Sequence, residues 1–176
     1  MKDDSLRLFF ALRCPPRLAE AITTWRDDLH LPGRPVATAN LHLTLVFLGQ
    51  QPLTQLPTLL SLAASVQVPV FDLHLDHLGR FNNGLLYLAP SRPPEALQGL
   101  AQGLRDALQE AGIRLDDRPF RAHLSLLRRC PRLPDDATPS FDWPVSHFGL
   151  FASEQSAHGS HYRQLQHWPL RPNEAP

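Results

Sequence analysis

Lysine, cysteine and methionine are all scarce in this chain. Its 176 residues include one lysine, Lys2, and one methionine, so sixteen arginines supply nearly all of the positive charge. Arginine binds phosphate through two parallel hydrogen bonds, which lysine cannot do. Arginine, proline and leucine are enriched together, however, and genomic base composition explains that bias more simply. Only the positions of individual arginines can therefore indicate a function.

Other scarcities limit the compartment and the partners. Cys14 and Cys130 are far apart and fit neither a Cys-x-x-Cys pair nor a zinc-ligand spacing. No apolar run approaches the roughly 18 residues that would indicate a membrane span, and residues 1–4 are unlike a signal peptide. The net charge is zero, which indicates no particular partner. We therefore expect a cytoplasmic protein with reduced thiols and no membrane partner.

Two strand-like segments each carry a histidine followed by a hydroxyl residue. In NLHLTLVFLG, alternation places His42 and Thr44 on one face of an otherwise apolar strand. In AHLSL, His123 and Ser125 repeat the arrangement. Given the composition of the chain, two such tetrads should arise by chance on the order of one time in fifty. The pair predicts two strands that face each other and bring both imidazoles and both hydroxyls into one cleft.

The order of elements around these segments recurs. Pro15 and Pro16 precede a predicted helix, and Pro93 and Pro94 precede another one 78 residues later, close to the 81 residues that separate the two histidines. A near-constant offset is typical of an internal duplication. Two like lobes related by a pseudo-twofold axis would place equivalent strands across a shared groove. The alternative is that two unrelated αβ units share common turn residues.

The remaining elements follow from periodicity and turn residues. One predicted helix buries Leu18, Ile22, Trp25 and Leu29; a second has Thr54 as its N-cap and buries Leu56, Leu59, Leu60 and Ala63; a third buries Leu97, Leu100, Leu104 and Leu108. Strands are predicted over 6–13, 71–81, 85–89, 145–151 and 162–168, with a hairpin turn at 82–84, a loop over 131–144 and a polar turn over 153–160.

The two histidines suggest acid–base chemistry on a phosphodiester. Imidazole titrates near neutral pH, so one neutral ring can accept a proton while a protonated ring donates one. The hydroxyls of Thr44 and Ser125 can donate hydrogen bonds to phosphate oxygens. Arg128 could add positive charge near the phosphate. Strict alternation, however, places Arg128 on the other face of the strand from His123, unless the strand ends or bulges first. Phe47 is more typical of a core residue, with stacking on a base as its alternative role.

A metal site is not expected. His74 with His77, and His158 with His161, have the spacing of metal ligands, but residues three apart on a strand face opposite ways. No cofactor is expected either.

The sequence resembles the 2H phosphoesterases, and more closely their branch of RNA 2',3'-cyclic phosphodiesterases, historically called 2'-5' RNA ligases. The resemblance spans nearly the whole chain and rests on four segments: RLFFAL at 7–12, NLHLTLVFLG at 40–49, FRAHLSLLR at 120–128, and 162–170 with its WPL ending. Two positions depart from the family pattern, since Ser125 replaces the usual threonine and Ala122 a frequent proline. Neither change removes a reacting group.

The resemblance implies an α+β fold of two pseudo-symmetric lobes, each with an antiparallel sheet backed by helices, forming one domain over residues 1–176. It implies hydrolysis of an RNA 2',3'-cyclic phosphate end to a 2'-phosphate. The division of acid and base work between two histidines suits this chemistry without metal, and we expect a monomer. His42 would be the acid that protonates the departing 3' oxygen and His123 the base that activates water. Thr44, Ser125 and Arg128 would hold the phosphate.

Three alternatives stay open. The enzyme could join RNA ends through a 2'-5' linkage, which shares the transition state of hydrolysis, or it could cleave 2'-5' oligonucleotides. The third alternative is an RNA-binding module that has lost catalysis. The presence of both histidines and both hydroxyls argues against this last one, because binding alone needs arginines and aromatic rings rather than paired imidazoles.

Overall fold

The computed structural model describes residues 4–173. Residues 1–3, which make up most of the N-terminal segment that is unlike a signal peptide, lie outside the described residues. The strands are β1 (Ser5–Arg13), β2 (Arg34–Pro35), β3 (His42–Pro52), β4 (Phe71–Leu75), β5 (His77–Arg80), β6 (Leu86–Ala89), β7 (Leu124–Arg128), β8 (Phe141–Val145), β9 (His147–Ser156) and β10 (Gly159–Pro169). The helices are α1 (Pro16–Asp27), α2 (Leu56–Ser65) and α3 (Glu95–Glu110), with single 3-10 turns at Thr38–Asn40 and Leu53–Gln55. No helix among residues 4–173 is long and apolar enough to cross a membrane.

Two antiparallel sheets organise the molecule. The larger has the strand order β10-β9-β1-β3-β7-β6-β5, with β2 beside β7, and the smaller pairs β4 with β8. Strands β3 and β7 meet through a single residue pair, Leu43 with Leu124, both fully buried. His42 begins β3 and His123 immediately precedes β7, so the joint between the two halves of the sheet is also the centre of the predicted site.

The topology agrees with the predicted duplication. Leu43 and Leu124 occupy equivalent places in the two histidine segments, and the order β9-β1-β3 mirrors β5-β6-β7 about their contact. The sequence contains a second repeat, FDLHLDHLGRF and FDWPVSHFGLF, starting at Phe71 and Phe141. Its strands β4 and β8 pair about the equivalent residues Leu73 and Trp143. Both strand pairs are therefore centred on a common pseudo-twofold axis.

The lobes are interleaved along the chain. One contains β1 and β3 with β9 and β10 from the end of the chain, whereas the other contains β2 and β5–β7. The predicted stripe of α3 is confirmed, since Leu97, Leu100, Leu104 and Leu108 are all buried. The stripe of α1 is rotated: Ala19, Ile22 and Arg26 are its buried residues, and Leu18, Trp25 and Leu29 pack at the edge of the core.

Two predicted features of the first half are wrong. Thr54 does not cap α2, because it lies inside the 3-10 turn Leu53–Gln55 and the helix begins without a side-chain cap. The single strand predicted over 71–81 is two strands that belong to different sheets. Asp76 separates them, and its carboxylate accepts hydrogen bonds from the backbone N–H and the hydroxyl of Ser91. The equivalent Ser146 separates β8 from β9 in the second copy of the repeat.

Two predictions in the last third also need correction. The loop predicted over 131–144 contains most of β8. This strand includes Pro144, and the proline is tolerated there because β8 belongs to a two-stranded sheet with free edges. The polar turn predicted over 153–160 is mostly strand, since β9 continues to Ser156 and β10 starts at Gly159. Polarity here reflects an exposed hairpin rather than a long loop.

Candidate active site

His42 is held by its own strand. Its Nδ1 lies 2.7 Å from the carbonyl oxygen of Asn40, so Nδ1 carries the hydrogen and donates. In the neutral ring this leaves Nε2 as an acceptor, and the hydroxyl of Thr44 lies 3.0 Å from it. Both side chains are half-buried, while Leu43 between them is fully buried on the opposite face. The predicted alternation of β3 is confirmed at this point.

His123 is held in the same way by the second half. Its Nδ1 lies 2.7 Å from the carbonyl oxygen of Arg121. Arg121 precedes His123 by two residues, just as Asn40 precedes His42. His123 itself immediately precedes β7, which begins at Leu124. The equivalent backbone carbonyls thus fix the same tautomer in both rings, so that proton transfer can occur at both Nε2 atoms, of which that of His42 contacts the Thr44 hydroxyl.

Equivalent β-bulges position Phe47 and Arg128. Leu45 on β3 is skipped in the register with β1, and its equivalent Leu126 on β7 is skipped in the register with β6. In each strand the bulge buries two successive residues, and the next side chain returns to the face of the histidine. Arg128 therefore lies on the same side as Ser125, which simple alternation forbids. Phe47 is 47% exposed, so the reading of Phe47 as a core residue is wrong.

The predicted site residues line three neighbouring cavities, one of which shares residues with each of the other two. A cavity of about 750 Å³ is lined by His42, Thr44, Phe47, Ser125 and Arg128. A smaller one of about 340 Å³ lies at His123, and a groove of about 1150 Å³ is lined by Thr44, Phe47 and His123 together. Ser125 and Arg128 line the cavity at His42, and Thr44 and Phe47 line the groove at His123. The structure therefore brings all six predicted site residues to one cleft.

The surroundings of His42 disfavour its charged form. Burial lowers its pKa below the usual 6.5, and the hydrogen bond to the Asn40 carbonyl opposes that effect only in part. The positive charges of protonated His123 and Arg128 lower the pKa of His42 further. These two groups are thus close enough to repel a proton on His42, and an anion bound between them would reverse this effect.

Aromatic rings that the sequence reasoning missed pack beside both histidines. Phe9 and Tyr162 lie 5.1 and 5.0 Å from the His42 ring between centroids. Phe81 and Tyr87 lie 5.3 and 5.7 Å from the His123 ring. In the strand registers Tyr87 is equivalent to Ala11 rather than to Phe9, because Ala11 pairs with Thr44 as Tyr87 pairs with Ser125, so the repeat could not have indicated this ring. These contacts restrict the orientation of both imidazoles.

His74, a member of one additional histidine pair, contacts a carboxylate. His74 Nδ1 lies 2.6 Å from a carboxylate oxygen of Asp142 on the paired strand. Within residues 4–173, no cluster of three or more histidine, cysteine, aspartate or glutamate side chains has the arrangement of a metal site.

Two H-x-[ST]-x strands that meet at a pseudo-twofold axis in a two-lobed α+β fold define the 2H phosphoesterase class. Residues 14–156 match the family model described as the 2'-5' RNA ligase superfamily, and the chain belongs to that superfamily.

Named relatives cover most of the chain. The RNA 2',3'-cyclic phosphodiesterase of Escherichia coli (strain K12) is 37% identical over 93% of this chain and 96% of its own length. The protein of the same name from Thermus thermophilus is 33% identical over 94% of this chain and 91% of its own length. A crystal structure of E. coli LigT complexed with 3'-AMP superposes with a TM-score of 0.88 at 36% identity and covers 94% of this chain and 98% of that one.

Proposed function

We propose that this protein hydrolyses the 2',3'-cyclic phosphate at the end of an RNA to a 2'-phosphomonoester. The observation that carries the proposal is the pair of imidazoles, each with its Nδ1 bound to an equivalent backbone carbonyl and its Nε2 left for proton transfer. The names of the two curated relatives and the nucleotide in the E. coli complex support a nucleotide substrate in this cleft.

In the proposed reaction, His123 Nε2 takes a proton from water as the water oxygen bonds to phosphorus. The bond between phosphorus and the 3' oxygen breaks, and His42 Nε2 donates its proton to that oxygen. Each proton transfer typically contributes about 10² to 10⁴ in rate. Because the substrate is an anion, its binding raises the lowered pKa of His42 and charges the ring for its role as acid.

The other site residues have binding roles in this proposal. The hydroxyls of Thr44 and Ser125 donate hydrogen bonds to non-bridging oxygens, and Arg128 neutralises the phosphate. Phe47 offers an exposed ring for stacking on a base, and the guanidinium of Arg7 covers one side of that ring at 4.9 Å from its centroid. Every group comes from one chain, so a monomer suffices. Two free, buried cysteines suit the reducing cytoplasm.

Product analysis tests the proposal. An oligonucleotide with a 2',3'-cyclic end is incubated with the enzyme in excess EDTA, and the phosphate position is determined on the product. A 2'-phosphate with a free 3' hydroxyl is expected. A 3'-phosphate would reverse the assignment of the leaving oxygen, and complete inhibition by the chelator would contradict metal-free catalysis. Predominant joining to an added 5'-hydroxyl strand would favour the ligase alternative.

A further inference from the structure

The pseudo-twofold symmetry is broken beside β3. In the first half, β2 pairs with the end of β7 at Leu127 and Arg128. The equivalent positions on β3 are Val46 and Phe47, and the segment equivalent to β2 is 115–116. That segment has no strand pairing, and in the described part of the chain β3 is bonded to β1 and β7 alone. The place of a strand is therefore open along the bulged part of β3.

The groove of about 1150 Å³ occupies this place. One wall is the segment of β3 from Leu45 to Phe47, and the other comprises α3, through Gln98 and Gln102, and the loop 116–121. Thr44 and His123 also line it. The groove therefore adjoins both the proposed reaction centre and α3, and Phe47 lines both the groove and the cavity of His42.

The lining combines aromatic rings with guanidinium groups. Phe47, Phe81 and Phe120 contribute the rings. The groove is lined by three arginines and two aspartates: Arg105, Arg118, Arg121, Asp116 and Asp117. Arg118 is paired with Asp116, because its guanidinium lies 2.7 Å from a carboxylate oxygen of that residue. The guanidinium of Arg121 lies over the Phe81 ring at 5.2 Å from its centroid. Bases stack on aromatic rings and phosphates bind arginine, so this combination fits single-stranded nucleic acid.

We propose that the groove binds the nucleotides that precede the cyclic end of a single-stranded RNA substrate. This inference rests on the proposed function, which places the terminal nucleoside at His42. The preceding nucleotide passes over Phe47, and the next ones follow the groove towards Arg105. A cyclic mononucleotide reaches no further than Phe47, so the groove beyond Phe47 should favour longer RNAs in kcat/KM without taking part in the chemical step.

Charge changes at Gln102 test the groove. This exposed residue of α3 lines only the groove, and both glutamate and arginine keep good helix propensity there. The substrates are 2',3'-cyclic AMP and a cyclic-ended tetranucleotide with a 5' phosphate, which cannot act as an acceptor strand. Gln102→Glu should lower the ratio of kcat/KM for tetranucleotide over mononucleotide about threefold, and Gln102→Arg should raise it by a similar factor. Both effects should shrink in 0.5 M salt.

Gln109 is the matched control, because it is exposed on the same helix and lies outside the groove. Gln109→Glu and Gln109→Arg should leave the ratio unchanged. The inference is overturned if the Gln102 variants change both substrates equally, or if they alter only the joining of a separate 5'-hydroxyl strand. Failure of the wild-type protein to hydrolyse either substrate would instead refute the proposed function.

Discussion

At the scale of single residues, the two histidines share a backbone arrangement but differ in their surroundings. Each Nδ1 donates to the carbonyl two residues earlier. Beyond the following bulge, His42 has Phe47 on its own strand, whereas His123 has Arg128 at the equivalent position. One side of the cleft therefore presents an aromatic ring and the other a cation. A duplicated scaffold has thereby acquired a polarity suited to a nucleotide, which has a base and a phosphate.

Loss of either imidazole should abolish most of the activity. His42→Ala and His123→Ala should each lower kcat by about two to four decades, because each removes one proton transfer. His74→Ala is the matched control, since His74 is exposed on β4 and lines none of the cavities at the site. Circular dichroism checks that folding is retained. A loss below threefold would remove that histidine from the mechanism.

Ser125 should act through its hydroxyl. Ser125→Ala should slow turnover by about ten- to a thousand-fold, because a donor to the phosphate is lost where charge develops. Ser125→Thr keeps the hydroxyl and restricts its rotamer, so its rate should stay close to that of the wild type. Single-turnover kinetics on a cyclic nucleotide separate the two variants. Wild-type rates for the alanine variant would make Ser125 a structural residue.

The lowered pKa of His42 should appear in the stability of the free protein. The folded state binds a proton at this ring less readily than the unfolded chain, whose pKa stays near 6.5. The free energy of unfolding should therefore fall as the pH drops from above 6.5 towards the lower pKa of the folded state. Urea titrations at pH 7.5 and 5.0 should show a smaller difference for His42→Gln than for wild type. An equal difference would contradict the burial effect.

At the scale of elements, regular periodicity was enough to predict α3 and the alternation at His42. It failed where one residue changes the course of the chain. The bulge at Leu45 and that at Leu126 are invisible in the sequence, because each skipped leucine fits an uninterrupted strand. The break at Asp76 separates strands of two different sheets, and its equivalent Ser146 separates β8 from β9 in the same way, which the local pattern does not reveal. The face of Phe47 thus required tertiary information, whereas the histidine faces followed from local pattern.

Arg26 should support the bulge that directs Arg128. This buried arginine of α1 donates from Nη1 to the carbonyl of Val36 at 2.7 Å and to that of Leu126, the bulge residue, at 3.3 Å. Arg26→Met keeps most of the volume but leaves the Val36 carbonyl without this donor, which should cost about 1 to 3 kcal/mol of stability. It should also lower kcat/KM, because Arg128 loses its fixed direction.

A double-mutant cycle separates these two effects of Arg26. The loss of kcat/KM caused by Arg26→Met should be markedly smaller when Arg128 is already alanine. The loss of stability should persist in that background. Arg17→Met is the control on the same helix, since Arg17 is exposed. An equal loss of kcat/KM in both backgrounds would show that Arg26 does not act through Arg128.

At the scale of the whole molecule, the two lobes depend on each other through the path of the chain. The ends of the chain complete one lobe and the middle forms the other. They share the Leu43–Leu124 contact, the β4–β8 sheet and one continuous hydrophobic core that contains buried residues of both lobes. The proposed catalytic groups lie on both sides of this joint. Activity therefore requires the lobes to stay in fixed register rather than to fold as separate units.

Cysteine reactivity can report on each lobe separately. Cys14 follows β1 in one lobe and Cys130 follows β7 in the other, and both are free and buried. Burial raises the pKa of the Cys14 thiol to about 12, so the native protein holds almost none of the reactive thiolate there. In Cys14→Ala and Cys130→Ala, the remaining thiol should react with a thiol reagent only through unfolding.

Cooperative folding predicts one transition for both thiols. In urea titrations, the remaining cysteine of each variant should become reactive at the midpoint at which circular dichroism is lost, once the different stabilities of the two variants are taken into account. The physical reason is that opening either lobe breaks the β3–β7 contact and exposes Leu43 and Leu124, which are fully buried. Reactivity of one thiol well below the circular dichroism midpoint would show that its lobe opens independently. The catalytic cleft would then lie between two separately stable units, and the register of the histidines would depend on the weaker one.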